Sequence, residues 1–334
     1  MPLHATAALA VTDKAKPAAP GKGSALSPHL QRLEDEAIHI MREVFAEFRK
    51  PVMLYSVGKD SSVMLHLARK AFHPAPPPFP FLHIATGWDF QALLDHRDRM
   101  ARAYGLDLLV HGNTDAAKAG VNPFDTETGE YSRLMLTEAL KAALGRYGFD
   151  AALGGGRRDD EKSRAKERIF SHRGPGHIWE PRNQRPELWR LFNTRLAPGD
   201  GMRVFPLSNW TEMDVWEYIK TEQLEVPNIY FSHERDCFRR GGQWLPVPPP
   251  RTDVAKPDPY AGARPTAKEP LKTMVCRVRT IADMISTGMI DSPAITVDDI
   301  IREVAAARVT ERGTRADDKA SEAAMEDRKK AGYF

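Results

Sequence analysis

The chain predicts a doubly wound α/β fold, a mostly parallel sheet with helices on both faces, and three observations carry that prediction. Short apolar runs of strand length recur at 51–56, 81–86, 106–112 and 149–156. Amphipathic stretches of helical period, 12–16 residues long, lie between them. Two of the runs end in glycine-bearing turns, Ser56-Val57-Gly58 and Gly154-Gly155-Gly156. Parallel strands need a crossover rather than a hairpin, so strands alternating with helices imply right-handed βαβ units. The 334 residues exceed the roughly 100–200 of a common single domain, so a further region beyond the sheet is expected.

Taken in order, residues 1–26 are rich in Ala, Pro, Gly and Lys and read as a disordered tail. They lack the basic flank of a signal peptide. Ser27-Pro28 is a helix start, a capping hydroxyl followed by proline at the first helical position. Leu30, Leu33, Ala37, Ile38, Met41, Val44 and Phe45 then follow at helical spacing. PVMLYS (51–56) suits a strand buried on both faces, and 56–72 a polar turn running into an amphipathic helix. A proline-rich connector (73–80) leads to the strand FLHIAT (81–86), a helix at 90–104, the strand LDLLVHG (106–112), a helix at 132–147 and the strand FDAALGGG (149–156). The pattern then weakens: 157–171 is charged, 172–200 loop-like, and 203–219 a short strand, a turn and a helix capped by Asn209 or Thr211. One α/β domain is expected over 27–220. Residues 221–334 are expected to form an irregular C-terminal extension, with a flexible proline-rich excursion (241–270), a last helix (297–307) and a charged tail.

Composition excludes several classes. Forty-eight Lys+Arg against 45 Asp+Glu leave a net charge of +3, too small a basic excess for a general nucleic-acid binder. No apolar run approaches the ~20 residues of a membrane span. Cys237 and Cys276 are too few for a disulfide framework or a thiolate metal site, so a reducing cytoplasm is the expected home. The 11 histidines show no HExxH or H-x₃-H spacing, so no protein-held metal is expected.

Two segments carry chemistry. Ser56-Val57-Gly58-Lys59-Asp60-Ser61-Ser62 joins a buried strand to a helix, where unpaired N–H groups and the positive end of the helix dipole favour an anion. Gly58 is expected to take a backbone conformation closed to other residues. Ser56, Ser61 and Ser62 offer hydroxyls, and Lys59 a cation. The spacing is not that of a Walker A loop. The second segment follows Gly154-Gly155-Gly156: residues 157–168 hold six cations and four anions. Taken alone such a run reads as a solvated helix with i,i+4 ion pairs. At the glycine-rich end of a parallel strand, where ligands sit in open sheets, it becomes a candidate oxyanion site.

SVGKDS resembles the S-G-G-x-D-S loop of the ATP pyrophosphatase (PP-loop) superfamily, with Val57 in place of the first glycine. That superfamily has an adenine nucleotide alpha-hydrolase-like fold and includes phosphoadenylylsulfate (PAPS) reductases. The valine, with TGWDF (86–90), NPF (122–124), GGGRRDDEKSRAKERIFS (154–171), NQRPELW (183–189), RVFPLSNWTEMDVW (203–216) and the chain end 310–334, is similar to one branch. That branch is the small subunit of the bacterial two-subunit sulfate adenylyltransferase, or ATP sulfurylase.

The resemblance implies transfer of the adenylyl group of ATP to sulfate, giving adenylyl sulfate and pyrophosphate, with coupling to GTP hydrolysis on a large GTPase subunit. It implies Mg²⁺ arriving with ATP. It implies ATP or pyrophosphate contacts at Ser56, Gly58, Lys59, Asp60, Ser61, Ser62, Gly155 and Gly156. Sulfate contacts are implied among Arg157, Arg158, Lys162 and Arg164, and Lys59, Arg157 and Arg158 become the catalytic candidates. Ala85 stands where superfamily members carry an aspartate, removing a carboxylate from the expected cleft. Arg277 and Arg279 alternate as on a strand, facing either the cleft or solvent. Trp88, Trp189 and Trp216 are expected in the core. A PAPS reductase would need a nucleophilic cysteine near its C-terminus, and Cys276 lies 58 residues short of it in an apparent strand. Adenylylation of another oxyanion or a carboxylate, and a non-catalytic nucleotide-binding role, remain open at this point.

Overall fold

The computed structural model describes residues 25–160, 164, 166–249, 260–284 and 286–307. Most of the expected N-terminal tail, much of the proline-rich excursion, the charged C-terminal tail and Lys162 therefore lie outside the described residues.

Helix α1 (Pro28–Glu47) begins as its sequence requires: the Ser27 side chain accepts from the Leu30 N–H, and Pro28 occupies the first turn. Strands β1 (Pro51–Leu54), β2 (Phe81–Ile84), β3 (Leu108–His111) and β4 (Ala151–Leu153) alternate with α2 (Lys59–Phe72), α3 (Gln91–Tyr104), α4 (Thr114–Lys118), α5 (Thr128–Ser132) and α6 (Ala139–Tyr147). A π-helical turn, Arg133–Glu138, joins the last two helices. Strands β5 (Phe170–Arg173) and β6 (Gly201–Val204) complete a six-stranded sheet in the order β3-β2-β1-β4-β6-β5. Every pairing in it is parallel except β5 with β6. The sequence reads 157–171 as charged and 172–200 as loop-like, and β5 goes unanticipated because it joins the sheet edge antiparallel, outside the strand–helix alternation.

Side chains alternate across a strand, and β1 shows the consequence. Val52 packs with Leu140 and Leu144 of α6 on one face, whereas Met53 and Tyr55 join the larger core under α1 and α2 on the other. That larger core continues into α7 (Glu212–Thr221), through Val215, Trp216 and Ile219. Thr211 is its N-cap, in a reciprocal capping box with Asp214.

The region expected to be irregular is built instead around a closed antiparallel barrel. Strands β7 (His233–Arg240), β8 (Gln243–Pro246), β9 (Leu271–Val278) and β10 (Met289–Asp291) form it in the order β10-β8-β7-β9. Closure removes the exposed edges that four short strands would otherwise present. Helix α8 (Val297–Ala306) packs against α7 and ties the barrel to the sheet. Cys237 and Cys276 are free thiols buried in the barrel, with their sulfurs 3.9 Å apart.

Candidate functional site

In a parallel sheet the C-terminal strand ends open into one crevice. Here that crevice is a cleft of about 280 Å³. The turn after β1 supplies Ser56, Gly58, Asp60 and Ser61 to its wall, and the end of β4 supplies Gly154, Gly155 and Gly156. The far wall comes from the segment after β9, Thr280 to Asp283 with Ser286.

The β1–α2 corner takes its shape from an unexpected residue. Gly58 has φ −71° and ψ 173°, ordinary extended backbone, whereas Val57 holds φ 66° and is fully buried. A β-branched residue in this region is strained, so the conformation expected of Gly58 belongs to Val57. Gly58 is needed for space: a Cβ there would lie 3.3 Å from the Tyr230 hydroxyl. That phenol oxygen accepts the N–H of Lys59 at 2.9 Å, taking up one of the groups a helix start leaves without an intrahelical acceptor. Ser61 and Ser62 both donate their hydroxyls to the Gly58 carbonyl at 3.0 Å, which tightens the first turn of α2.

The structure separates the expected cations. Lys59 is fully buried, its Nζ 3.1 Å from Asp60 Oδ2, and it forms no part of the cleft wall. Arg157 is also buried: Nε lies 2.8 Å from Asp60 Oδ1 and Nη2 2.5 Å from Asp160 Oδ1. It knots the start of α2 to the turn after β4, and the carboxylates around it balance its charge. Arg158 turns away to Asn209 and the Glu167 carbonyl. Arg164 alone of the described basic candidates lines the cleft, its guanidinium carbon 5.9 Å from the Phe205 ring centre. The glycines before it make its room: a Cβ on Gly156 would stand 2.3 Å from Arg164 Nη1, and one on Gly155 3.0 Å from Asp60 Cβ. The described part of 157–168 is turn and 3₁₀ rather than a regular α-helix.

Arg277 and Arg279 face neither cleft nor open solvent. Arg277 is buried on Glu303 (2.6 Å) and Ser292, and Arg279 pairs with both oxygens of Glu212 (3.1 and 2.7 Å). Trp216 is core, Trp88 is half-buried against Phe124 and Tyr260, and Trp189 is exposed, against expectation.

Three further cleft residues, Asp89, Asp283 and His83, are not among the candidates the sequence singles out. Ala85 removes one carboxylate, but Asp89 and Asp283 both line the cleft. Asp283 accepts from the Thr86 hydroxyl and the Tyr131 phenol, each at 2.7 Å, and burial holds the Asp89 carboxyl above its usual range. His83 Nδ1 meets the Tyr55 carbonyl at 3.0 Å, which makes it the donor and leaves Nε2 as an acceptor without a protein partner among the described residues. Burial depresses this imidazole to about 4, so it is neutral at physiological pH. No group of three or more His, Cys, Asp or Glu among the described residues is placed to hold a metal. No helix among them is long and apolar enough to cross a membrane.

Comparison with known proteins identifies the family. Residues 50–289 match the family described as phosphoadenosine phosphosulfate reductase domain. The chain is 51% identical over 306 residues to sulfate adenylyltransferase subunit 2 of Chelativorans sp. (strain BNC1), covering 92% of this chain and 98% of that one. It is 52% identical over 308 residues to the protein of the same name from Rhodopseudomonas palustris (strain BisA53), covering 92% and 90%. Among solved structures, a PAPS reductase from Candida auris in a phosphate complex shares 18% identity with a TM-score of 0.43, over 62% of this chain and 92% of that one. So distant a likeness adds nothing to the assignment, which rests on the sequence relatives. Their identity over nearly the whole length of both chains makes this protein a member of the sulfate adenylyltransferase subunit 2 family, nucleotidyltransferase subunits carrying the PAPS reductase domain.

Proposed function

We propose that this chain transfers the adenylyl group of ATP to sulfate, releasing adenylyl sulfate and pyrophosphate. The supporting observation is a single cleft that sets the start of α2 against Arg164, in a chain half identical to sulfate adenylyltransferase subunits. A sulfate oxygen attacks the α-phosphorus, the bond to the β-phosphate bridging oxygen breaks, and pyrophosphate leaves towards the β1–α2 corner. Sulfate is already ionised, so no general base is required. The protein's task is alignment and charge neutralisation. Ser56, Ser61 and the N-terminus of α2 receive the departing phosphates, and Arg164 holds the incoming oxyanion through its paired N–H donors. The part the sequence assigns to Arg157 and Lys59 becomes indirect: they fix Asp60 and the corner itself. His83 and the Asp283–Thr86–Tyr131 network offer fixed acceptors to the nucleoside.

Mg²⁺ would enter with ATP, bound mainly by phosphate oxygens and water. The phosphosulfate anhydride formed is high in energy, so the equilibrium favours ATP. Coupling to GTP hydrolysis on a separate large subunit would supply the difference, as the relatives' name, subunit 2, suggests. A cytoplasmic setting fits the ATP requirement and the two free thiols.

The test is sulfate-dependent exchange of labelled pyrophosphate into ATP. Arg164→Ala should raise the sulfate requirement at least tenfold and change ATP affinity less than threefold. Exchange that proceeds with another oxyanion or a carboxylate and not with sulfate would replace the acceptor. ATP binding without any exchange would make the chain a nucleotide-binding partner.

A further inference from the structure

Residues 185–193 form a loop with a built base and an apolar tip. Arg185 donates from Nε to Asn193 Oδ1 (3.0 Å) and from Nη2 to the Phe192 carbonyl (3.0 Å), while Asn193 Nδ2 donates back to the Arg185 carbonyl (3.1 Å). Glu187 accepts the N–H groups of Ile169 and Phe170, both at 2.7 Å. Phe192 is buried and stacked on Phe170, with ring centres 4.5 Å apart. Between these anchors Leu188 is 56%, Trp189 86% and Leu191 59% exposed. The backbone that turns them outward is left-handed at two successive non-glycine residues, Trp189 (φ 52°) and Arg190 (φ 60°). Left-handed backbone is strained at each of these side-chain-bearing residues. The isolated chain gains nothing from holding a tryptophan in water at that cost, and tryptophan is the residue type most enriched where binding energy concentrates.

We propose that this loop is the docking knob for the second kind of subunit, with Trp189 entering an apolar socket whose rim is acidic. The identity of the occupant rests on the two-subunit reading above, and charge selects its surface. Residues 181–195 carry Arg182, Arg185, Arg190 and Arg195 against one acid, Glu187, which leaves the segment a net positive charge. A second copy of this chain would set like charges against each other, which disfavours a homomeric contact. The position also suits coupling. Glu187 holds the N–H groups of the two residues that follow the segment bearing Arg164, so the loop and that segment share one anchor.

The experiment uses the full chain and the large GTPase subunit from the same organism, with the dissociation constant measured by calorimetry. Leu188→Ala combined with Trp189→Ala is expected to weaken the complex at least 30-fold and to leave ATP binding by this chain unchanged, which shows that the fold is intact. Arg190→Glu is expected to slow association, more strongly at low salt. A double variant that binds as tightly as the wild type overturns the proposal. So does a wild-type chain that fails to bind the large subunit, or that self-associates through this loop in sedimentation. Failure of the adenylyl-transfer reading looks different: a tight complex, weakened by these substitutions, that shows no sulfate-dependent exchange.

Discussion

Val57 tests how the corner after β1 is held. Glycine in place of alanine ordinarily costs about 0.5–1 kcal/mol. At φ 66° the order should invert, because a Cβ meets its own backbone there. Both Val57→Gly and Val57→Ala lose a buried side chain, but the glycine variant is expected to be the more stable of the two by about 1 kcal/mol. Urea unfolding compares them, and alanine proving the better replacement would refute the strain. Arg157 makes a second test at the same scale. Removing one partner of a buried ion pair typically costs about 3–5 kcal/mol, and Asp60 and Asp160 would both lose this guanidinium, keeping Lys59 and Arg164 respectively. Arg157→Ala is therefore expected to act chiefly by destabilising the fold, with the sulfate and ATP requirements of any folded fraction shifted together. A stable variant impaired only towards sulfate would return the arginine to the cleft. The basic segment was legible as a candidate site, but which guanidinium lines the cleft was not. Arg157 and Arg164 are of one residue type and both reach Asp160, and the placement of Asp60 and Gly156 distinguishes them.

Among the elements, α2 depends on a residue 171 positions away. Its first N–H is satisfied by Tyr230, which sits in the turn between α7 and the barrel. Tyr230→Phe keeps the ring packed on Trp216 and deletes the acceptor. A buried donor left without a partner costs about 1–3 kcal/mol, so a stability loss in that range is expected. A thermal melt no lower than that of the wild type would show that water replaces the phenol. The signals for α1 and α7 were local and readable, since Ser27-Pro28 and Thr211 with Asp214 cap within a few residues. The barrel was not readable, because its strands do not alternate with helices and pair antiparallel across long separations, β7 with β9 and β9 with β10.

For the molecule as a whole, pH should reveal the buried histidines. Desolvation lowers His83, His96 and His177 to about 4. Between about 6.5 and 4 the unfolded chain binds protons that the folded chain refuses. Stability from these groups is therefore complete above about 6.5 and falls as the pH drops towards 4. The His83→Gln variant should lose less on acidification than the wild type, by about 2–3 kcal/mol near pH 4. Denaturant midpoints across that range measure the difference, and parallel profiles would show that His83 protonates freely in the fold.

The amino-acid sequence by itself determined the alternation of buried strands and amphipathic helices, the helix starts, the glycine-bearing corner after β1 and the family. Each is written in residues adjacent in the chain or at a fixed short period. Tertiary structure alone decided that Val57 rather than Gly58 takes the left-handed backbone and that Arg164 rather than Arg157 faces the cleft. It also decided that Asp283 enters the site that Ala85 leaves short of a carboxylate, and that Trp189 stands in solvent. Those outcomes depend on which distant side chains arrive to share a charge, accept a hydrogen bond or fill a space. Burial and pairing across long sequence separations leave no periodic trace in the chain that folds to create them.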